Sequence, residues 1–245
     1  MIAILQWTTL AVCGVVAIAR IPSALRGENR SLFYIFTLMT LAILLSIEAP
    51  YVAIDQALGG VNLANLLLRF VIFGAIFILG VRITRGFSAE GAYRLITGKA
   101  GMVVLVLISA LMVAVFFLMD TAGSSAGLKG PAELDSRNAV LVEYYGAAGR
   151  AYPAFVSVAL IPAMIRAAAG TLPALIRLAA GLLALGGIAI TVSLLFPAFP
   201  PSWEAVKFVV NYTAVLCFVI GLALIWAARV RGGRSAPAKR TYTEK

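Results

Sequence analysis

The chain has 245 residues, of which 62% are hydrophobic and 12% charged, and its formal net charge is +10. So large an apolar share excludes an ordinary soluble domain and indicates a membrane protein. The sequence contains no histidine, which removes the commonest metal ligand and the usual general base. We therefore predict a protein that is not an enzyme and that has no catalytic residue, metal site or cofactor. We expect no nucleic-acid binding, because the basic residues flank apolar segments.

Seven apolar segments are long enough to cross a bilayer, which takes about 20 residues of helix. They occupy residues 2–19, 32–52, 63–81, 101–119, 142–165, 175–196 and 205–226. We predict an all-α fold, a polytopic transmembrane bundle of seven helices over residues 1–228. Residues 229–245 are rich in Arg, Lys, Gly and Ser and predict a basic, disordered cytoplasmic tail.

The distribution of basic residues predicts the orientation of this bundle. Fifteen of the twenty Lys and Arg residues lie in four stretches, namely residues 20–30, 82–99, 166–177 and 229–245. Short loops that carry Lys and Arg stay on the cytoplasmic side. The pattern therefore predicts an N-terminus outside, a cytoplasmic C-terminus and a multi-pass protein of the plasma membrane.

Two connecting segments carry local signals. Residues 120–138 form the longest outer connection, rich in Gly, Ser and Ala, and predict a mobile loop in which Pro131 opens a short helix. Residues 82–99 form the longest inner loop. There, Ser88 is in position to cap a short interfacial helix that starts at Glu90.

The sixth predicted span has small residues at close spacing, which let neighbouring backbones approach. These residues are Ala179, Ala180, Gly181, Ala184, Gly186, Gly187 and Ala189. The pattern is typical of a helix packed in the centre of a bundle. It is also found in helices that move or dimerise, and the sequence alone leaves that alternative open.

Four ionisable side chains inside or beside the predicted spans are the candidates for a site, since charge within a membrane is costly and needs a reason. Glu48, Arg69, Glu143 and Arg150 all fall in the outer third of the predicted bilayer. Arg150 lies about 10 Å deeper than Glu143 along the same helix face. We predict ion pairs between Glu48 and Arg69 and between Glu143 and Arg150, with the crossed pairing equally allowed.

These charges predict a polar pocket that opens to the outside. Its Arg side chains would bind a carboxylate or phosphate group. Tyr145, beside Glu143, and Asn211, near the outer start of the seventh span, complete the predicted ligand-binding set. The alternative is purely structural, with ion pairs or with Arg side chains that reach up to the surface.

Residues 41–67, LAILLSIEAPYVAIDQALGGVNLANLL, carry a helix ending near Pro50 and an Asp-x-x-x-Gly-x-x-Asn-Leu-Ala pattern from Asp55 to Ala64. On its own terms, the 55–62 segment predicts a turn, with Asn62 capping the third span. The stretch resembles a group of actinobacterial seven-helix integral membrane proteins. That group is largely uncharacterised, and some members carry a transporter label. The resemblance implies a seven-helix membrane protein.

Two functional hypotheses follow. The first is a non-enzymatic integral membrane module that binds an extracytoplasmic ligand or a partner membrane protein through the outer pocket. The second is a small-molecule transporter, in which Pro153 and Pro162 would break the fifth span near a binding site. The expected partners are the lipid bilayer and a membrane or cytoplasmic protein.

Overall fold

The computed structural model describes residues 2–27, 30–198 and 203–234, and these ranges contain helices and no β-strand. The α-helices are α1 (Ile2–Leu25), α2 (Arg30–Leu44), α3 (Glu48–Ala57), α4 (Leu63–Gly86), α5 (Glu90–Thr97), α6 (Lys99–Leu118), α7 (Lys129–Leu134), α8 (Ser136–Ala169), α9 (Ala174–Val192) and α10 (Glu204–Arg234). Short 3₁₀ turns cover Ala126–Leu128 and Ser193–Ala198. The predicted all-α fold is confirmed.

The long helices alternate in direction. Ser31 on α2 meets Arg82 on α4 at 2.8 Å, and Leu38 lies 3.6 Å from the β-position of Gly74, so α2 and α4 are antiparallel. The bundle therefore has two distinct ends. We call the end with α3 and residues 119–135 the loop end, and the end with α5 the basic end. Helix α8 lies at the centre and packs against α4, α6 and α9.

Five described helices, α1, α4, α6, α8 and α9, are long and apolar enough to cross a membrane. The pair α2 and α3 makes a sixth if the two count as one bent span, and α10 contains a shorter apolar stretch, Leu216–Ile225. Large apolar side chains cover the outside of the bundle: Val106 and Leu107 on α6 are 61% and 63% exposed. Such a surface fits a hydrocarbon environment better than water.

The second predicted span is not one straight helix. It bends by 93° between α2 and α3, at Leu45–Ile47. Pro50 explains the position of the break, because in a continuous helix its ring would clash with the carbonyl of Ser46. After the break, Pro50 falls in the first turn of α3, where proline is tolerated. The Ser46 hydroxyl donates to the carbonyls of Ala42 and Ile43 at the end of α2.

The predicted break in the fifth span is wrong. Helix α8 runs through both Pro153 and Pro162 as one continuous helix of 34 residues. Pro153 is buried, and its neighbours Tyr152 and Val156 pack against α4. Each proline removes one backbone hydrogen bond, but the backbone remains helical across both.

The small residues of α9 face neighbours of the same chain. A β-carbon at Gly186 would lie 3.0 Å from the Phe218 ring of α10, and one at Gly187 would lie 3.3 Å from Ile161 of α8. Ala179, Ala180 and Ala184 are also buried. This face of α9 is therefore packed between α8 and α10, whereas Leu178 and Leu185 on the other face are exposed. Packing within the bundle accounts for the small residues.

Two predicted helix ends differ from the structure. Ser88 has a positive φ of 51° and makes no cap, and α5 starts after Ala89 without a side-chain hydrogen bond. The backbone turn, closed by the bond from Ala89 N to Thr84 O, takes the place of the cap. At the C-terminus, α10 continues to Arg234, so the first residues of the predicted tail are helical. Residues 235–245 lie outside the described ranges.

Candidate functional site

The candidate site lies where α4 and α8 run side by side in the same direction. Three contacts at successive levels fix this arrangement: Arg69 against Gly149, Phe73 against Tyr152, and Gly80 against Val156. The closest approach is at Gly149, where an added β-carbon would stand 2.9 Å from Cδ and Nε of Arg69. Only a residue without a side chain leaves room for the guanidinium to cross α8 there.

Aromatic rings support both guanidiniums. Cζ of Arg69 lies 5.6 Å from the centroid of the Tyr145 ring, and Cζ of Arg150 lies 5.3 Å from that of Phe196. Tyr145 in turn contacts Phe116 of α6, with 5.9 Å between ring centroids. Such cation–π contacts contribute about 0.5–2 kcal/mol each. The rings therefore hold two cations at the loop end of the core without neutralising them.

The polar atoms around these rings are short of partners. The Nε atoms of Arg69 and Arg150, the hydroxyls of Tyr145 and Tyr152 and Oδ1 of Asn65 are buried and have no hydrogen-bond partner. Tyr145 and Tyr152 are fully buried. An unsatisfied buried polar group costs about 1–3 kcal/mol, and five in one region call for an explanation.

The predicted ion pairs are wrong. Glu48 is exposed, and its Oε1 accepts a hydrogen bond from the backbone N of Ala126 at 3.3 Å instead of reaching Arg69. The bend before α3 explains this, because it carries Glu48 away from the line of α2. Glu143 is also exposed; it attracts Arg150 but forms no ion pair with it. Arg69 and Arg150 lie close enough for their charges to repel each other.

Three of the six predicted site residues thus come together, namely Arg69, Tyr145 and Arg150. Glu143 is exposed and near enough to Arg150 to attract it. Glu48 instead accepts a hydrogen bond from Ala126 N. The sixth, Asn211, belongs to α10, and its side chain lies outside the described part of the chain.

Sequence reasoning missed two buried polar side chains on the same two helices, Tyr152 and Asn65, although helical periodicity contains a signal for each. Tyr152 follows Tyr145 by seven residues and Asn65 precedes Arg69 by four, so each pair shares a helix face. Phe196 carries no such signal, because it lies in the 3₁₀ turn after α9 and reaches Arg150 only through the tertiary fold.

A second polar network lies at the loop end. Its central residue, Asp55, is fully buried. Its carboxylate accepts hydrogen bonds from Asn62 N at 2.9 Å, Ala64 N at 2.9 Å and the Ser124 hydroxyl at 2.6 Å. Asp55 therefore caps α4. The predicted cap at Asn62 is wrong, since that residue has a left-handed φ of 58° and no capping bond.

The Asn62 side chain instead ties the 120–128 loop to α3. It donates to the carbonyls of Thr121 at 3.0 Å and Gly123 at 2.7 Å, and it accepts from Ser125 N at 3.0 Å. It also accepts from the buried Tyr51 hydroxyl at 2.7 Å. The loop that the sequence predicted to be mobile is thus anchored by hydrogen bonds, and its Leu128 is buried in the main hydrophobic core.

The cluster is chemically a set of donors. In the described part of the chain, no three His, Cys, Asp or Glu residues come together in a way that could hold a metal ion. The two guanidiniums and the Tyr145 hydroxyl offer donors that match an anion, because carboxylate and phosphate oxygens accept such hydrogen bonds, whereas Oδ1 of Asn65 is an acceptor.

No protein-family model matches this chain, and neither a curated protein nor a solved structure does. The resemblance drawn from the motif between Asp55 and Ala64 therefore stays a prediction.

Proposed function

We propose that this chain is a non-enzymatic integral membrane module that binds an anionic group through Arg69 and Arg150. The group is a carboxylate or phosphate of an extracytoplasmic ligand or of a partner membrane protein. One observation carries the proposal: among the described residues, two neighbouring guanidiniums have buried, unpartnered Nε atoms and form no ion pair with an acid.

Charge balance supports an anionic ligand. Arg69 and Arg150 repel each other, and only the exposed Glu143 offsets the positive charge on Arg150. An anion between the two guanidiniums would remove this repulsion and satisfy both Nε–H donors. Bidentate bonds from Arg to carboxylate or phosphate are among the stronger hydrogen bonds in proteins. The Tyr145 hydroxyl, on the ring beside Arg69, would supply a further donor.

We expect entry to the site to involve the movement of a side chain. Two open clefts of the described chain lie at the basic end, and neither is lined by Arg69 or Arg150. Both Arg side chains are half-buried and rest on ring faces. We expect a guanidinium to leave its ring when the anion arrives, which costs little because cation–π contacts at partly exposed sites are weak.

The proposed membrane arrangement has seven spans, formed by α1, α2 with α3, α4, α6, α8, α9 and α10. The N-terminus is outside and the C-terminus cytoplasmic. The alternating helix directions support it, as does the placement of Arg82, Arg85, Arg94 and Lys99 beside α5 at the basic end. In this arrangement the loop end faces outward, so the arginine cluster binds ligands from outside the cell.

A binding measurement on the full chain in lipid nanodiscs tests the proposal, with inorganic phosphate and acetate as probes. We expect saturable binding by the wild type and at least a tenfold loss in Arg69→Met and in Arg150→Met, because each loses a charge-assisted contact. Arg137→Gln is the matched control, since Arg137 is exposed near the same end. Equal affinity in all four proteins would exclude this site.

A transporter is the second candidate, and the 93° bend between α2 and α3 favours it. Broken helices frequently form transporter binding sites, and Tyr51 on α3 lies near Tyr145. Uptake of the bound anion into liposomes distinguishes the two functions. A binding module retains the anion at its surface, whereas a transporter accumulates it inside.

A further inference from the structure

A cleft of about 300 Å³ lies between α2 and α4 at the basic end, far along α4 from Arg69. Its lining combines one hydroxyl and two guanidiniums with apolar side chains. The lining residues are Ser31, Phe77, Ile78, Val81, Arg82, Arg85 and Gly86. None of them is acidic.

The polar edge of the cleft is held in place by contacts within the protein. Nη1 of Arg82 donates to Oγ of Ser31 at 2.8 Å, so the two helices are joined at this level. Nη2 of Arg85 donates to the Tyr93 hydroxyl of α5 at 3.2 Å, and its Cζ lies 5.4 Å from the centroid of that ring. A guanidinium has five N–H donors, so Arg85 retains donors for a further acceptor.

The apolar wall extends toward the middle of the bundle. Val81, Ile78 and Phe77 precede Arg82 on α4, which is one of the helices long and apolar enough to cross a membrane. Charged groups therefore lie at the end of α4 and apolar groups about one turn further in. This order matches a molecule with an anionic head and a hydrocarbon chain.

We infer that this cleft binds the phosphate group of an anionic membrane lipid. The phosphate lies between Arg82 and Arg85, and an acyl chain runs along Val81, Ile78 and Phe77. The site is separate from the arginine cluster of the loop end and does not depend on the function proposed for it. Free phosphate carries the same anionic group, but it has no hydrocarbon chain to contact the apolar wall. Basic clefts beside the cytoplasmic ends of helices suit anionic headgroups.

Native mass spectrometry of the full chain in detergent tests the inference, with phosphatidylglycerol, phosphatidylcholine and inorganic phosphate as probes. We expect the wild type to retain one phosphatidylglycerol molecule in preference to phosphatidylcholine. Arg85→Gln should weaken this binding by about tenfold, the usual effect of losing one charge-assisted contact. Arg94→Gln is the matched control, because it removes the same charge from exposed α5 without touching the cleft.

Three results would overturn the inference. Equal weakening in Arg85→Gln and Arg94→Gln would show that only the overall charge matters. Equal retention of phosphatidylcholine would show that the anionic head is not recognised. Displacement of the lipid by inorganic phosphate at similar concentrations would assign the cleft to a soluble phosphate. Circular dichroism of both variants ensures that a loss of binding is not a loss of fold.

Discussion

The Arg69 side chain crosses the backbone of Gly149 so closely that a β-carbon there would lie 2.9 Å from both its Cδ and its Nε. Gly149→Ala should therefore push the guanidinium away from Arg150 and weaken phosphate binding by about tenfold, as expected when one of two charge-assisted contacts is lost. Isothermal titration of the purified chain measures this. Gly181→Ala is the control, since the nearest atom there is 3.9 Å away. Unchanged affinity in Gly149→Ala would show that Arg69 does not contact the anion.

The arginines lack paired acids in the described chain, so removing one should not cost what a broken ion pair costs. We expect Arg69→Met or Arg150→Met to change the free energy of unfolding by less than about 2 kcal/mol, because the lost cation–π contact and the removed repulsion act in opposite directions. Unfolding curves in mild detergent measure it. A loss of about 3–5 kcal/mol is characteristic of a broken buried ion pair and would support the structural alternative.

Asp55 should contribute more to stability than the other acids of the loop end. Asp55→Ala leaves two backbone N–H groups and the Ser124 hydroxyl without their acceptor. We expect a loss of about 3 kcal/mol in the free energy of unfolding. Asp120→Ala is the control, since Asp120 is exposed and its carboxylate accepts one hydrogen bond, from Ala122 N, and the change should cost about 0.5 kcal/mol. Equal losses would mean that the buried network does not hold the loop.

Helix α9 offers a test of packing within one helix. A β-carbon at Gly186 would lie 3.0 Å from Phe218, whereas one at Gly181 would have its nearest neighbour at 3.9 Å. Gly186→Ala should therefore destabilise the protein by about 1–3 kcal/mol through overpacking, and Gly181→Ala should be neutral or stabilising. Thermal unfolding compares the two. If Gly186→Ala instead changes only the oligomeric state, this face contacts a second chain.

Tyr93 should titrate below the ordinary range of tyrosine. The hydrogen bond from Arg85 and its positive charge lower the pKa of the Tyr93 hydroxyl, because both favour the phenolate. Because the pKa of Tyr93 is lower in the folded state than in the unfolded state, the phenolate stabilises the fold at pH values above the unfolded-state pKa. This stabilisation is lost as the pH falls through the folded-state pKa. Ultraviolet titration of the wild type against Tyr93→Phe isolates this group. Arg85→Gln should raise the pKa, and no change would mean that the contact is absent in solution.

Local patterns in the sequence predicted the helical content and included Arg69, Tyr145 and Arg150 in one candidate set, but they paired the arginines with acids. They also predicted a helix end near Pro50, although not the size of the bend there. A proline acts on its own turn, but the outcome depends on what packs around it. Pro50 stands beside a break of 93°, whereas the helix continues through Pro153, where α8 packs against α4.

The acids could not be placed from spacing alone. Glu48 comes after the bend, so the depth in the membrane predicted for it on a straight helix is wrong. Its carboxylate instead accepts a hydrogen bond from Ala126 N in the loop. Asp55 caps α4 by accepting from the backbone N of Ala64, which lies nine residues later in the chain. It also accepts from the hydroxyl of Ser124, which lies 69 residues later. Contacts of that range depend on how the loop folds back over α3, and no local motif encodes them.

The most direct test of the central claim is nuclear magnetic resonance of the Nε–H groups of ¹⁵N-arginine-labelled protein, titrated with inorganic phosphate. Arg69→Met and Arg150→Met assign the two signals. We predict that both signals shift together and saturate at one concentration, since one anion bridges the two guanidiniums. Shifts confined to exposed arginines such as Arg137, with Arg69 and Arg150 unmoved, would contradict an anion site at this cluster.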